Sequence, residues 1–172
     1  ALAGGAVGLY FYEAEGFYIL PLMIFASIVG GIAWAAIPAF FRTKFNANEI
    51  LTSLMLSYVA LLILSLLIHG PMKDPDGMSF PQSRMFSDSA IIPLLIEGTR
   101  LHAGWLVSLA VVVAVWVMFS RHIIGFQIRV IGMAPRAAAF AGFKEKTLVW
   151  LSFTIAGAAS GLAGLCEVAG PL

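Results

Sequence analysis

Few residues in this sequence are equipped for chemistry, and those few are hydroxyls, amides and isolated charges rather than nucleophile–base sets. The densest group is Asn48, Glu49, Thr52, Ser53, Ser57 and Tyr58. On a helix Glu49, Ser53 and Ser57 fall at i, i+4 and i+8 with Thr52 beside them, so a polar stripe runs up one face. Asn46, three residues before Glu49, has the form of a capping box that would start that helix. Polar side chains at membrane depth face a bundle interior or a wet cavity, which makes the stripe a candidate lining for the passage of a polar solute. The other reading is that the hydroxyls bond back to their own helix carbonyls.

The second group lies in the basic stretch from Arg121 to Lys146, which holds Arg121, Arg129, Arg136, Lys144 and Lys146 against Glu145 alone. Within it Pro135 stands like a first helical residue and Gly142 like the residue just past a helix end, with Arg136, Ala137, Ala138 and Phe140 between. The spacing predicts a helix of about two turns, too short to persist alone in water. It either docks into a groove on a partner, with Phe140 and Phe143 as anchors, or packs on its own protein.

Glu167 is the one acid inside an otherwise apolar run near the end of the sequence. A solvated rim position and a place along a solute route are both open to it. Beyond these, catalytic equipment is missing. One cysteine, Cys166, excludes an internal disulfide, and His69, His102 and His122 have no metal-holding spacing. No phosphate-binding glycine loop, dinucleotide fingerprint, nucleophile elbow or zinc-protease motif occurs. We therefore expect no catalytic residue, no metal and no cofactor.

The elements that must position these residues follow from composition. Of 172 residues 60% are hydrophobic and only 11% charged, with a mean hydropathy of +0.95. A soluble domain carries about 25% charged residues, so this chain has too little charge to cover a globule in water. The net charge of +1 gives no footprint for a nucleic acid. The class that remains is an all-α, polytopic membrane protein. About 20 apolar residues cross the hydrocarbon core. Residues 17–41, 50–68, 103–120 and 147–169 meet that length, and 1–12 reads as the tail of a fifth span. With no initiator Met and no leader pattern, the chain reads as a fragment of one longer membrane domain.

Charges between the spans set the orientation. Alternating sides places seven basic residues, in 42–49 and 121–146, on one face and three, in the long segment 69–102, on the other. The seven-base face is then cytoplasmic. Residues 70–89 read as irregular, with turns at Asp74-Pro75 and Asp76-Gly77, and Ala90–Ile96 either as an interfacial or re-entrant piece or as a lid lying on the membrane-facing protein surface. Small residues four apart, at Gly4 and Gly8, at Ser27, Gly31 and Ala35, and at Gly157 and Gly161 with Gly164 following, predict close helix packing in a bundle.

The run from Gly125-Phe126 through Arg129, Gly132 and Pro135 to Gly142-Phe143, continuing through Gly157–Gly164 to Glu167-Val168, resembles the membrane-spanning permease of ABC importers of the ribose/branched-chain amino acid class. Within that class, Asn48-Glu49-Ile50 to Tyr58 and Gly70-Pro71-Met72-Lys73-Asp74-Pro75 to Phe80-Pro81-Gln82-Ser83 are more similar to the nucleoside/simple-sugar branch, with Ser53 and Ser57 standing where that branch usually has Thr and Asn. The resemblance implies a multi-pass subunit of a bacterial plasma (inner) membrane, embedded in the lipid bilayer and paired with a second permease subunit in a homo- or heterodimer. Two ABC ATP-binding subunits carrying ATP and Mg²⁺ would dock beneath it, and an extracytoplasmic solute-binding protein would deliver cargo from above. It also places the coupling element at Pro135–Ala141 and a route-lining helix at Asn48–Tyr58. Transport would proceed by alternating access driven by ATP. An ion-gradient-driven transporter or channel is the rival reading, disfavoured because such proteins bury charges mid-span.

Overall fold

The computed structural model describes residues 2–11, 18–73, 92 and 102–170. The turns expected at 74–77 and nearly all of the 90–96 segment lie outside the described residues. Those that are described form seven helices and no strand: α1 (Leu2–Tyr10), α2 (Ile19–Phe45), α3 (Glu49–His69), α4 (Gly104–Arg121), α5 (Ile123–Met133), α6 (Pro135–Phe140) and α7 (Glu145–Val168). Four of them, α2, α3, α4 and α7, are long and apolar enough to cross a membrane. The protein is an all-α bundle.

α2 runs four residues beyond the apolar stretch and ends at Phe45, which takes Arg42 and Lys44 into its last turn. Cations there offset the partial negative charge of the helix C-terminus. Asn46 then enters the left-handed region at φ 50° and the chain reverses. Asn48, rather than Asn46, caps the next helix: its side-chain oxygen accepts from the Ile50 N–H at 2.9 Å. The expected capping box at Asn46 and Glu49 does not form, because Asn46 is occupied in closing α2.

The centre of the bundle is the seam between α2 and α7, with α1 lying against α2. Its residues are the small ones. A Cβ placed on Gly157 would lie 2.6 Å from the Gly31 carbonyl oxygen and 2.7 Å from the Ala35 Cβ. One placed on Gly161 would strike the Ser27 carbonyl, whose carbon would be 2.9 Å away. Gly4 of α1 faces the Ser27 hydroxyl, and a Cβ on Gly30 would meet Ala3 at 2.6 Å. With no side chains between them the backbones touch, and dispersion contacts accumulate where lipid supplies no hydrophobic drive. Beyond the small residues, Ile19, Met23 and Leu165 close the seam together with Ala169 and Ile92. The Ile92 N–H donates to the Ala169 carbonyl at 2.9 Å, which fixes this point of the 69–102 segment to the end of α7.

The stretch 121–146 holds more helix than its composition suggests. Besides the short helix at Pro135 it contains the eleven-residue α5, set off from α4 by extended backbone at His122. Gly125 makes that corner possible: a Cβ there would stand 2.5 Å from the Met118 carbonyl oxygen and from the Phe119 Cα.

Candidate functional site

Two sets of side chains carry the candidate chemistry, and both meet at one end of the bundle. A cavity of about 420 Å³ there is bordered by Arg42, Glu49, Gly132, Pro135, Glu145 and Ser152, with apolar walls from α5 and α7. Residues from both basic segments, 42–49 and 121–146, thus share one end.

The first set is the α5–α6 platform. Pro135 occupies the first position of α6, where its missing N–H costs nothing. At the other end the Phe143 N–H donates to the Ala138 carbonyl at 3.0 Å and the Gly142 N–H to the Ala139 carbonyl at 3.1 Å, with Gly142 at φ 77°. This is a Schellman closure, which requires a left-handed residue at that glycine. Ala138 is buried, whereas Phe140 is 95% exposed. Phe143 turns inward and packs edge to face on Phe126, ring centroids 6.5 Å apart. Of the two expected aromatic anchors, then, Phe143 holds the platform together and Phe140 is left free. Arg129 reaches back to the Phe119 carbonyl at 3.5 Å, tying α5 to α4. Arg136 and Ala137 are exposed beside Phe140, and nothing lies within 4 Å of where a Gly132 side chain would stand. The result is a six-residue helix, propped from behind, that presents an aromatic and a cation outward.

The second set is the foot and lower half of α3. The Thr52 hydroxyl donates to the Asn48 carbonyl at 2.8 Å, Ser53 to Ile50 at 3.1 Å and Ser57 to Ser53 at 2.9 Å. These bonds within the helix keep the hydroxyl hydrogens occupied while leaving oxygen lone pairs available to an incoming donor. Glu49 does not extend the stripe as a free acid, because it pairs with Arg42 of α2 at 3.3 Å. Both partners are substantially exposed, and such pairs contribute about 0.2–1 kcal/mol. Tyr58 projects outward, and α3 buries none of its residues.

Glu167 lies near the end of α7 remote from this cavity, exposed, one turn from the residues around Ile92 and Ala169. The structure brings Asn48, Glu49, Gly132 and Pro135 to one end and leaves Glu167 at the other. Arg42 escaped sequence reasoning as a site residue; its one signal was a cation seven residues before an acid across a short turn. No group of three or more metal-ligating side chains occurs among the described residues.

Comparison with known proteins agrees on class. Residues 1–171 match the family described as branched-chain amino acid transport system / permease component. The chain is 41% identical over 162 residues to a glucose ABC transporter permease protein of Haloferax volcanii, covering 88% of this chain and 42% of that protein. It is 26% identical over 157 residues to a guanosine ABC transporter permease protein of Bacillus subtilis, covering 91% and 45%. A nucleoside ABC transporter permease protein of Lactococcus lactis is 26% identical over 176 residues, covering 96% and 48%. The chain therefore spans less than half the length of these relatives. No solved structure matches it.

Proposed function

The chain belongs to the family of branched-chain amino acid transport permease components, and from that premise we propose that it forms part of the membrane-spanning subunit of an ATP-driven importer. Its cargo in this reading is a small polar solute rich in hydroxyls, a simple sugar or a nucleoside, as the names of its relatives suggest. ATP and Mg²⁺ belong to separate ATP-binding subunits. A second permease subunit completes the route, a solute-binding protein delivers cargo on the far side, and the membrane is the bacterial plasma (inner) membrane.

The observation that carries the proposal is Phe140, 95% exposed on a helix whose neighbours Ala138 and Phe143 are packed away. An aromatic held out by a propped helix, beside Arg136 and on the basic face, is built to enter a groove on a cytoplasmic protein. In this role Gly125, Arg129, Gly132, Pro135, Arg136, Ala137, Ala138, Phe140 and Gly142 form the coupling element. Closure of the ATP-binding subunits pushes on α6, and the bundle exchanges its outward and inward openings. Moving such an equilibrium from 1:99 to 99:1 takes about 5.5 kcal/mol of differential binding, which nucleotide and delivery protein together supply. Asn48, Glu49, Thr52, Ser53, Ser57 and Tyr58 line the route at the α3 face, and Glu167 marks its far end. The neutral hydrogen bonds of the Thr52, Ser53 and Ser57 hydroxyls are weak enough to release cargo.

The test is purification of the full permease with its ATP-binding subunits. Replacing Pro135–Gly142 by a Gly/Ser linker of equal length should abolish their co-purification and leave the membrane bundle intact. Arg136→Glu should uncouple hydrolysis from uptake. Undiminished ATP-dependent uptake by both variants in proteoliposomes would reject the reading, and uptake driven by an ion gradient without ATP would favour the rival transporter class.

A further inference from the structure

Among the described residues the foot of α3 packs chiefly on α2. α2 and α7 are locked along their length, whereas α3 buries none of its residues and follows α2 through a three-residue reversal at Asn46–Asn48. Across that reversal stands one ion pair, Arg42 to Glu49 at 3.3 Å, the sole ion pair among the described residues. Each charge also suits its own helix end, a cation in the last turn of α2 and an acid in the first turn of α3. The same two side chains border the cavity whose other walls include Gly132 and Pro135. The pair therefore stands between the α2–α7 seam, the foot of α3 and the platform.

We infer that Arg42 is a positioning residue: through Glu49 it clamps the foot of α3 to the α2–α7 core, and displacement of α5 and α6 across the shared cavity opens or closes that clamp. The inference rests on the transport reading for its consequence, not for its geometry. Three features fit a clamp that must release. The pair is half exposed, with side chains 36% and 45% accessible, so water can replace either partner at little cost. The link between the helices is three residues long and turns at the left-handed Asn46, so a change of tilt in α3 has only this short link to cross. Finally, among the described residues α3 packs chiefly on α2, on the far side of that link. Glu49 thus acts at the foot of the helix by holding its tilt, and the hydroxyls above it move with that tilt.

The experiment uses the full permease in lipid nanodiscs, with Cys166 replaced by Ser and spin labels at Leu62 of α3 and Trp150 of α7, both exposed. Arg42→Gln and Glu49→Gln should each raise the population of long distances about 1.4- to fivefold, the range expected of an exposed ion pair. The double variant should go no further than either single one, because the two residues act as a unit. Arg42→Lys should keep the original distribution, and so should Glu145→Gln, which removes the other carboxylate of the cavity. In proteoliposomes with the ATP-binding subunits, both single Gln variants should raise the ATP hydrolysed per solute delivered. Unchanged distances in Arg42→Gln, additive effects in the double variant, or broadened distances with an unaltered ATP ratio would each overturn the inference. If the distances behave as expected while the unaltered permease shows no ATP-dependent uptake, the clamp stands and the transport reading falls.

Discussion

α2 and α3 are consecutive, similarly apolar and both long enough to cross a membrane, yet they are held in opposite ways. α2 gives Ser27, Gly31 and Ala35 to a seam in which its backbone touches that of α7. α3 offers Leu54, Tyr58, Leu61 and Leu62 to its surroundings and buries nothing. The difference lies in side-chain size rather than hydropathy. In lipid a large apolar side chain is content wherever it points, whereas a row of small ones leaves a groove that only another backbone fills. Apolarity puts a helix in the membrane; the small residues decide which helices stay together there.

That contrast can be broken most severely at the seam. Gly161→Leu places a side chain against the Ser27 backbone, where nothing flexible can yield. The expected loss is about 3 kcal/mol, read as a large drop in thermal stability of the purified protein in detergent. Its counterpart Gly132→Ala, on α5 with open space around it, should gain up to about 1 kcal/mol from helix propensity. Equal stability of the two variants would dissolve the distinction between seam and periphery.

A subtler probe is Ser27→Ala. Ser27 is 1% exposed and its hydroxyl has no hydrogen-bond partner among the described residues, so removing it should stabilise the protein by about 1–2 kcal/mol. Ser57→Ala on α3, whose hydroxyl bonds to its own helix, should change stability by less than about 0.5 kcal/mol. A destabilised Ser27→Ala would mean that the hydroxyl does have a partner across the seam. The last probe is the reversal between the two helices. Asn48→Ala removes the cap of α3 and should cost about 1 kcal/mol, seen as faster amide exchange at Ile50 and Leu51. Asn46→Gly, at a left-handed position, should cost nothing measurable.

Much of this was legible in the sequence because each signal was local. The small residues at four-residue spacing announced the seam, and Pro135 with Gly142 announced α6 and its closure. What sequence missed needed a partner to be seen. Asn46 and Asn48 both precede Glu49 and both can cap, and only the path of α2 decides which does. α5 was hidden because Gly125 and Gly132 punctuate it, although Gly125 is there to let it pack against the end of α4. Glu49 read as part of a stripe because Arg42, its partner, sits on the preceding helix. The hydroxyls of Thr52, Ser53 and Ser57 gave two readings at once, and both persist: they bond back to α3 and still present oxygen outward.

The glycine seam has one more consequence. Where the joint is main chain against main chain, at Gly31, Gly157 and Gly161, there are no rotamers to readjust, and a small roll or slide of α2 against α7 meets backbone directly. The two helices then behave as an axle in the bilayer, and any rocking of the subunit must be taken up by the parts mounted on it.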